Sequence, residues 1–105
     1  MPAEAREAIW YVAREALTNA ERHAAAASLT LSLEFQRDGW LLRVVDDGAG
    51  MSPKDLRRPE HYGVLGMRER MQEIGGQLDI QRGAGGGTVV EAHVSRHAAQ
   101  EVRAA

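Results

Sequence analysis

The spacing of the apolar residues changes near residue 28, and this change constrains the fold more than any other feature. Over residues 3–27 apolar side chains recur every three or four positions, as on one face of a helix. Over residues 29–36 they alternate with polar side chains, as on a strand with one buried face. The side chains expected on that buried face are Leu29, Leu31, Leu33 and Phe35. A chain that begins in this way packs a long helix against a sheet.

The rest of the chain predicts a hairpin, a long loop, a second helix and a second hairpin. Asp38-Gly39 is a strong hairpin signal. The further predicted segments are a strand over 40–46, a loop over 46–66, a helix over 66–74, strands over 77–82 and 88–94, and a frayed tail over 95–105. The loop is long for a connector, which is typical of a functional lid. This order predicts a two-layer α/β sandwich, with a mixed or antiparallel sheet covered by helices on one face.

Size and charge limit the possible functions. The 105 residues fit one domain, spanning 1–105, and 44% hydrophobic with 27% charged residues is ordinary globular composition. A net charge of −2 and 5% aromatic residues argue against nucleic acid as a partner. The sequence contains no cysteine, which excludes disulfides, thiolate metal sites and a cysteine nucleophile. No apolar run approaches a membrane span, so we expect no direct membrane contact.

Three polar residues of the first predicted helix form one line. Glu15, Asn19 and His23 lie four positions apart, so they share a face at the border of the apolar stripe. This border is the setting for a cleft. An ordinary solvent-facing row of polar residues is the alternative, since such rows are common on helices.

A second group of candidate residues follows the predicted central strand. A carboxylate at Asp46 can accept a hydrogen bond from an exocyclic amine. Gly48 and Gly50 allow a flat ring or a phosphate to approach the backbone. An ordinary turn is the alternative, because aspartate and glycine are common in turns.

Two further segments offer groups that bind anions. Gly63 and Gly66 lead into the second predicted helix, whose first backbone N–H groups and dipole favour a polyphosphate. Gly87-Thr88 offers a hydroxyl and an amide at the start of a strand. Taken singly, each segment is explained better by a plain loop or turn than by a binding role.

Together the four segments resemble the ATP-binding catalytic domain of bacterial two-component sensor histidine kinases, on the Bergerat fold shared with gyrase-like ATPases. The matching segments, in chain order, are residues 15–24 (EALTNAERHA) as the N box, 46–50 (DDGAG) as the G1 box, 63–70 (GVLGMRER) as the G2 region and 87–90 (GTVV) as the closing motif. The short lid and the GMRER helix are similar to the subgroup that signals to regulators with LuxR-type DNA-binding domains. The resemblance covers nearly the whole chain.

The resemblance implies a role for each matching residue. Asn19 would coordinate Mg²⁺ on the ATP phosphates, and Glu15 would assist phosphoryl transfer as a polar or basic group. Asp46 would read adenine, with Gly48, Gly50 and Met51 beside the base. The residues expected around the phosphates are Gly63, Leu65, Gly66, Met67 and Thr88. His23, with Arg22 beside it, falls where a phosphate contact is expected, and a structural role for His23 is the alternative.

The sequence departs from the family pattern in two respects. Asp47 stands where the family usually has asparagine. No dimerisation and phosphoacceptor hairpin precedes the N box, so we expect a monomeric catalytic domain that requires a separate phosphoacceptor domain and a response regulator as partners. The resemblance implies a cytoplasmic location, whether or not the parent protein is anchored in a membrane.

Two other functions remain open at this point. A serine kinase of the anti-sigma-factor type shares the N box and the G1 pattern, although the GMRER segment favours the histidine kinase. A catalytically silent, nucleotide-responsive interaction module is the third possibility. Glu15 and Asn19 argue against it, because a module that only binds needs no base.

Overall fold

The computed structural model describes residues 2–21, 28–47, 64–83 and 86–96. These residues form two helices and four strands. Their bounds are α1 (Ala3–Asn19), β1 (Leu29–Gln36), β2 (Gly39–Asp46), α2 (Val64–Glu73), β3 (Gln77–Arg82) and β4 (Thr88–Ser95). No helix in these ranges is long and apolar enough to cross a membrane.

The four strands form one sheet in the order β1-β2-β4-β3. All three pairings are antiparallel. The helices α1 and α2 pack on each other, α1 also packs on β2 and β4, and α2 packs on β3. The predicted two-layer α/β sandwich is therefore confirmed, and its described strand pairs are all antiparallel.

Small side chains let α1 lie close to the sheet. Four alanines are buried along its inner stripe, together with Ile9 and Val12, at the helical spacing seen in the sequence. The opposing layer supplies Leu42 and Val94 from the central strands. Met67 and Met71 of α2 complete the core, and flexible methionine side chains fill the irregular space between a helix pair and a sheet.

The prediction that β1 has a buried apolar face is wrong. Leu29, Leu31, Leu33 and Phe35 are 39%, 44%, 52% and 63% exposed, respectively. They share a face with their cross-strand partners on β2, which include the buried Leu42 and Val44. However, β1 is the edge strand, and the helices cover the strands beside it. The alternation correctly identified the strand, but the helix layer does not extend far enough to bury its face.

Two predicted helix boundaries also differ from the structure. The first helix, expected to reach residue 27, ends at Asn19 as an α-helix and continues as a π-helical turn through residues 20 and 21. The second helix begins at Val64 rather than at Gly66, because the side chain of Val64 is buried in the core and anchors the first turn. It ends before Gly75-Gly76 as predicted, where the Gly76 N–H donates to the Met71 carbonyl at 2.8 Å.

Candidate functional site

The end of β2 and the start of β4 lie side by side. Asp46 is paired with Thr88 in the sheet, so both side chains lie on the face that the helices cover. The Thr88 backbone N–H donates to Asp46 Oδ1 at 3.3 Å. The carboxylate is thereby held in a fixed orientation at this end of the sheet.

Gly87 allows the two strand ends to approach this closely. Its φ is +79°, in the left-handed region that favours glycine. A β-carbon at Gly87 would collide with the Asp46 carbonyl oxygen and would lie 3.1 Å from the Asp47 Cα. Only glycine fits here without moving the backbone that carries Asp46. Sequence reasoning placed Gly87-Thr88 among the anion-binding segments. It did not predict that position 87 must be glycine to admit the Asp46 backbone, because that requirement depends on the strand register.

The start of α2 points towards the same end of the sheet. The helix ends next to the first residues of β3, which pair with the far end of β4, since Gln77 is the partner of His93. The N-terminus of α2 therefore points back towards the end that carries Thr88. At that N-terminus the first backbone N–H groups have no partner within the helix and favour an anion.

The C-terminal end of α1 also points towards this end of the sheet. Glu4 and Glu7 of α1 lie beside Arg70 and Glu73 of α2, whereas Tyr11 lies against Gly66. The two helices are thus antiparallel, and the end of α1 lies towards the start of α2. Asn19, the last residue of α1, continues the buried stripe of that helix by one more turn.

Three polar side chains are buried among the residues that the structure describes. They are Asn19, Asp46 and Thr88, and each is only 5–8% exposed. All three are residues that the sequence predicted for nucleotide and metal binding. Burying polar groups is costly unless they are paired, so a fold retains them where they have partners or a function. The burial of these three side chains fits a binding role.

The other predicted residues differ in their placement. Glu15 is half-buried one turn before Asn19. Leu65 is exposed and Gly66 is half-buried in the first turn of α2. The Met67 side chain is fully buried in the core, so this residue can offer a ligand only its backbone. Six predicted residues lie outside the described ranges, namely Arg22, His23, Gly48, Gly50, Met51 and Gly63.

Asp47, the residue that departs from the family pattern, has a contact that sequence reasoning missed. Its two carboxylate oxygens accept from Ser28, from the backbone N–H at 2.8 Å and from the side-chain hydroxyl at 3.0 Å. The Asp47 N–H in turn donates to the Ser28 carbonyl at 3.3 Å. Asp47 therefore joins the start of β1 to the end of β2. An asparagine side chain has a single acceptor oxygen, so it could not accept these two hydrogen bonds on separate oxygens.

Comparison with known proteins agrees with this architecture. The family model described as histidine kinase-, DNA gyrase B-, and HSP90-like ATPase matches residues 4–98. The nitrate/nitrite sensor protein NarX of Escherichia coli (strain K12) is 37% identical over 79 residues, covering 75% of this chain and 13% of NarX. The sensor histidine kinase YdfH of Bacillus subtilis (strain 168) is 37% identical over 87 residues, covering 81% of this chain and 21% of YdfH. This chain thus spans about a fifth or less of the length of these relatives.

A solved structure has the same fold. The histidine kinase domain of the blue-light activated histidine kinase EL346 from Erythrobacter litoralis superposes with a TM-score of 0.80 at 28% identity. The match covers 99% of this chain and 50% of that domain. The family match over residues 4–98 and this structural likeness agree with each other. The chain belongs to the family of histidine kinase-, DNA gyrase B- and HSP90-like ATPases.

Proposed function

We propose that this chain binds Mg²⁺-ATP and donates the γ-phosphoryl group to a histidine on a separate dimerisation domain. The observation that carries the proposal is the burial of Asn19, Asp46 and Thr88, the three buried polar side chains of the described residues. The elements that hold them run towards one end of the sheet, where the N-terminus of α2 is also directed. This combination offers an acceptor for a base, an amide for a metal and donors for phosphate.

The residues present fit a magnesium ion that is held mainly by its nucleotide. Within the described ranges no three acidic, histidine or cysteine side chains cluster to hold a metal. Asn19 offers an amide oxygen, and one such ligand is sufficient when phosphates and waters supply the others. The ion would neutralise charge on the phosphates. We therefore expect Mg²⁺ to bind together with ATP rather than to the protein alone.

Each residue has a defined task in this proposal. Asp46 accepts a hydrogen bond from the exocyclic amine of adenine. Thr88 and the first N–H groups of α2 donate to phosphate oxygens. A ring nitrogen of the attacking histidine forms a bond to the γ-phosphorus, while the bond between that phosphorus and the bridging oxygen of the departing ADP breaks. Glu15 accepts the proton that the imidazole loses.

The acceptor is proposed from the relatives. YdfH is named a sensor histidine kinase, which favours a histidine over a serine as the phosphoacceptor. The proposed partners of this chain are its phosphoacceptor domain and a response regulator. The resemblance of the GMRER helix favours a regulator of the LuxR type.

The test is phosphoryl transfer from γ-labelled ATP, with a histidine kinase phosphoacceptor hairpin supplied by fusion. We expect Glu15→Gln to retain ATP binding but to lower the transfer rate by about 10²-fold, as loss of a general base does. Asn19→Asp should impair both binding and transfer. Glu7→Gln, on an exposed residue of the same helix, is the matched control and should be unchanged. Full transfer by Glu15→Gln would remove Glu15 from the mechanism. No label on the histidine would refute the proposed reaction.

A further inference from the structure

Tyr11 of α1 lies against the first turn of α2. A β-carbon at Gly66 would collide with the Tyr11 hydroxyl and would lie 3.1 Å from Cζ and 3.3 Å from Cε1 of the same ring. Tyr11 is partly buried and packs against the hydrophobic core, so its ring cannot move away freely. The absence of a side chain at Gly66 is therefore what allows this contact.

Two arginines flank the Tyr11 ring, one from each helix. The Arg70 Cζ lies 5.0 Å from the ring centroid, and the Arg14 Cζ lies 5.7 Å from it. A guanidinium within about 6 Å of an aromatic ring is attracted by the ring quadrupole. Arg70 is one helical turn after Gly66, and Arg14 is one turn after Tyr11. The ring is thus bound to both helices at the level of Gly66.

This contact fixes the part of α2 that the proposed function assigns to phosphate. Gly66 is the third residue of α2, whose N-terminus points towards the end of the sheet that carries Thr88. A shift of Tyr11 would move these N–H groups relative to Asp46 and Thr88, which lie on the sheet. Positioning errors of about 1 Å are enough to weaken a polar site strongly.

We propose that Tyr11 is a positioning residue for the phosphate-binding start of α2, and that Gly66 is glycine to admit Tyr11. This inference rests on the proposed function, because it takes the start of α2 as the phosphate site. It differs from the reading in which Gly66 is glycine so that phosphate can approach the backbone. The two readings predict different behaviour when a side chain at Gly66 is combined with a smaller ring at Tyr11.

The test is a double-mutant cycle of Gly66→Ala and Tyr11→Phe, measured as affinity for a non-hydrolysable ATP analogue and for adenosine. We expect Gly66→Ala alone to weaken binding of the ATP analogue by about tenfold, because the new methyl group displaces Tyr11. Tyr11→Phe removes the colliding oxygen, so the double variant should recover to within about threefold of the unmodified chain. Adenosine lacks phosphates and should bind all four proteins alike. Trp10→Phe, an exposed aromatic residue of the same helix, is the control and should change neither affinity.

Other outcomes would overturn the proposal in distinguishable ways. If Tyr11→Phe gives no recovery in Gly66→Ala, the glycine serves the phosphate and not the tyrosine. If the variants lower the melting temperature but leave affinity for the ATP analogue unchanged, the contact is only structural. If adenosine affinity falls in parallel with ATP affinity, Tyr11 does not act on the phosphate site. Absence of ATP binding by the unmodified chain would refute the proposed function itself, and this inference with it.

Discussion

At the level of single residues, the role proposed for Asp46 predicts which base the site would bind. A carboxylate accepts from the amine of adenine, whereas guanine presents a carbonyl at that position and would place acceptor against acceptor. We expect ATP to bind more tightly than GTP. Competition of the two nucleotides for the same site measures this difference, and equal affinities would contradict the role assigned to Asp46.

The backbone conformation of Gly87 predicts how substitutions at this position affect stability. Gly87→Ala should lower the free energy of unfolding by at least about 1–2 kcal/mol, the cost of a left-handed conformation for a residue with a β-carbon. Gly87→Asn tolerates that conformation better, so a similar loss in this variant would assign the cost to the collision with the Asp46 carbonyl. Urea unfolding of both variants is the measurement. An unchanged midpoint in Gly87→Ala would contradict the close approach of the two strand ends.

At the scale of elements, the exposed face of β1 gives a matched pair of variants. Leu33 and Leu42 are cross-strand partners on one face, but Leu33 is 52% exposed and Leu42 is 2% exposed. We expect Leu42→Ala to cost about 2–5 kcal/mol, because it leaves a cavity in the core. Leu33→Ala should cost about 1 kcal/mol or less. Equal losses of unfolding free energy in the two variants, measured by urea unfolding, would contradict the exposure of this face of β1.

The elements themselves follow closely from periodicity. The alternation over residues 29–36 gave the correct type and limits of β1, and the glycines after α2 gave its end to within one residue, at Glu73 rather than at residue 74. Periodicity identifies the residues that share a face, but it does not show whether another layer covers that face. The start of α2 also depends on the burial of Val64 in the core. This burial could not be inferred from the sequence, in which glycines lie close to Val64 on both sides.

At the scale of the whole molecule, the burial of the predicted site residues could be inferred only in part. The sequence identified Asn19, Asp46 and Thr88 as candidate site residues, because each lies in a short contiguous motif. Gly87, Asp47 and Tyr11 were missed as contacts, because each meets a partner that is distant in sequence. Those pairings are set by strand register and by the packing of one helix on another.

We propose that this chain binds ATP at the end of the sheet marked by Asp46 and Thr88. Calorimetric titration with a non-hydrolysable ATP analogue, with and without Mg²⁺, tests it most directly. We expect heat of binding, and a higher affinity with Mg²⁺ than without it. Asp46→Ala should reduce the binding free energy by about 1.5–3 kcal/mol, the range for a charge-assisted hydrogen bond. Asp79→Ala, on an exposed aspartate of β3, should bind as the unmodified chain does. The absence of heat with and without Mg²⁺, or equal affinity in Asp46→Ala, would contradict the claim.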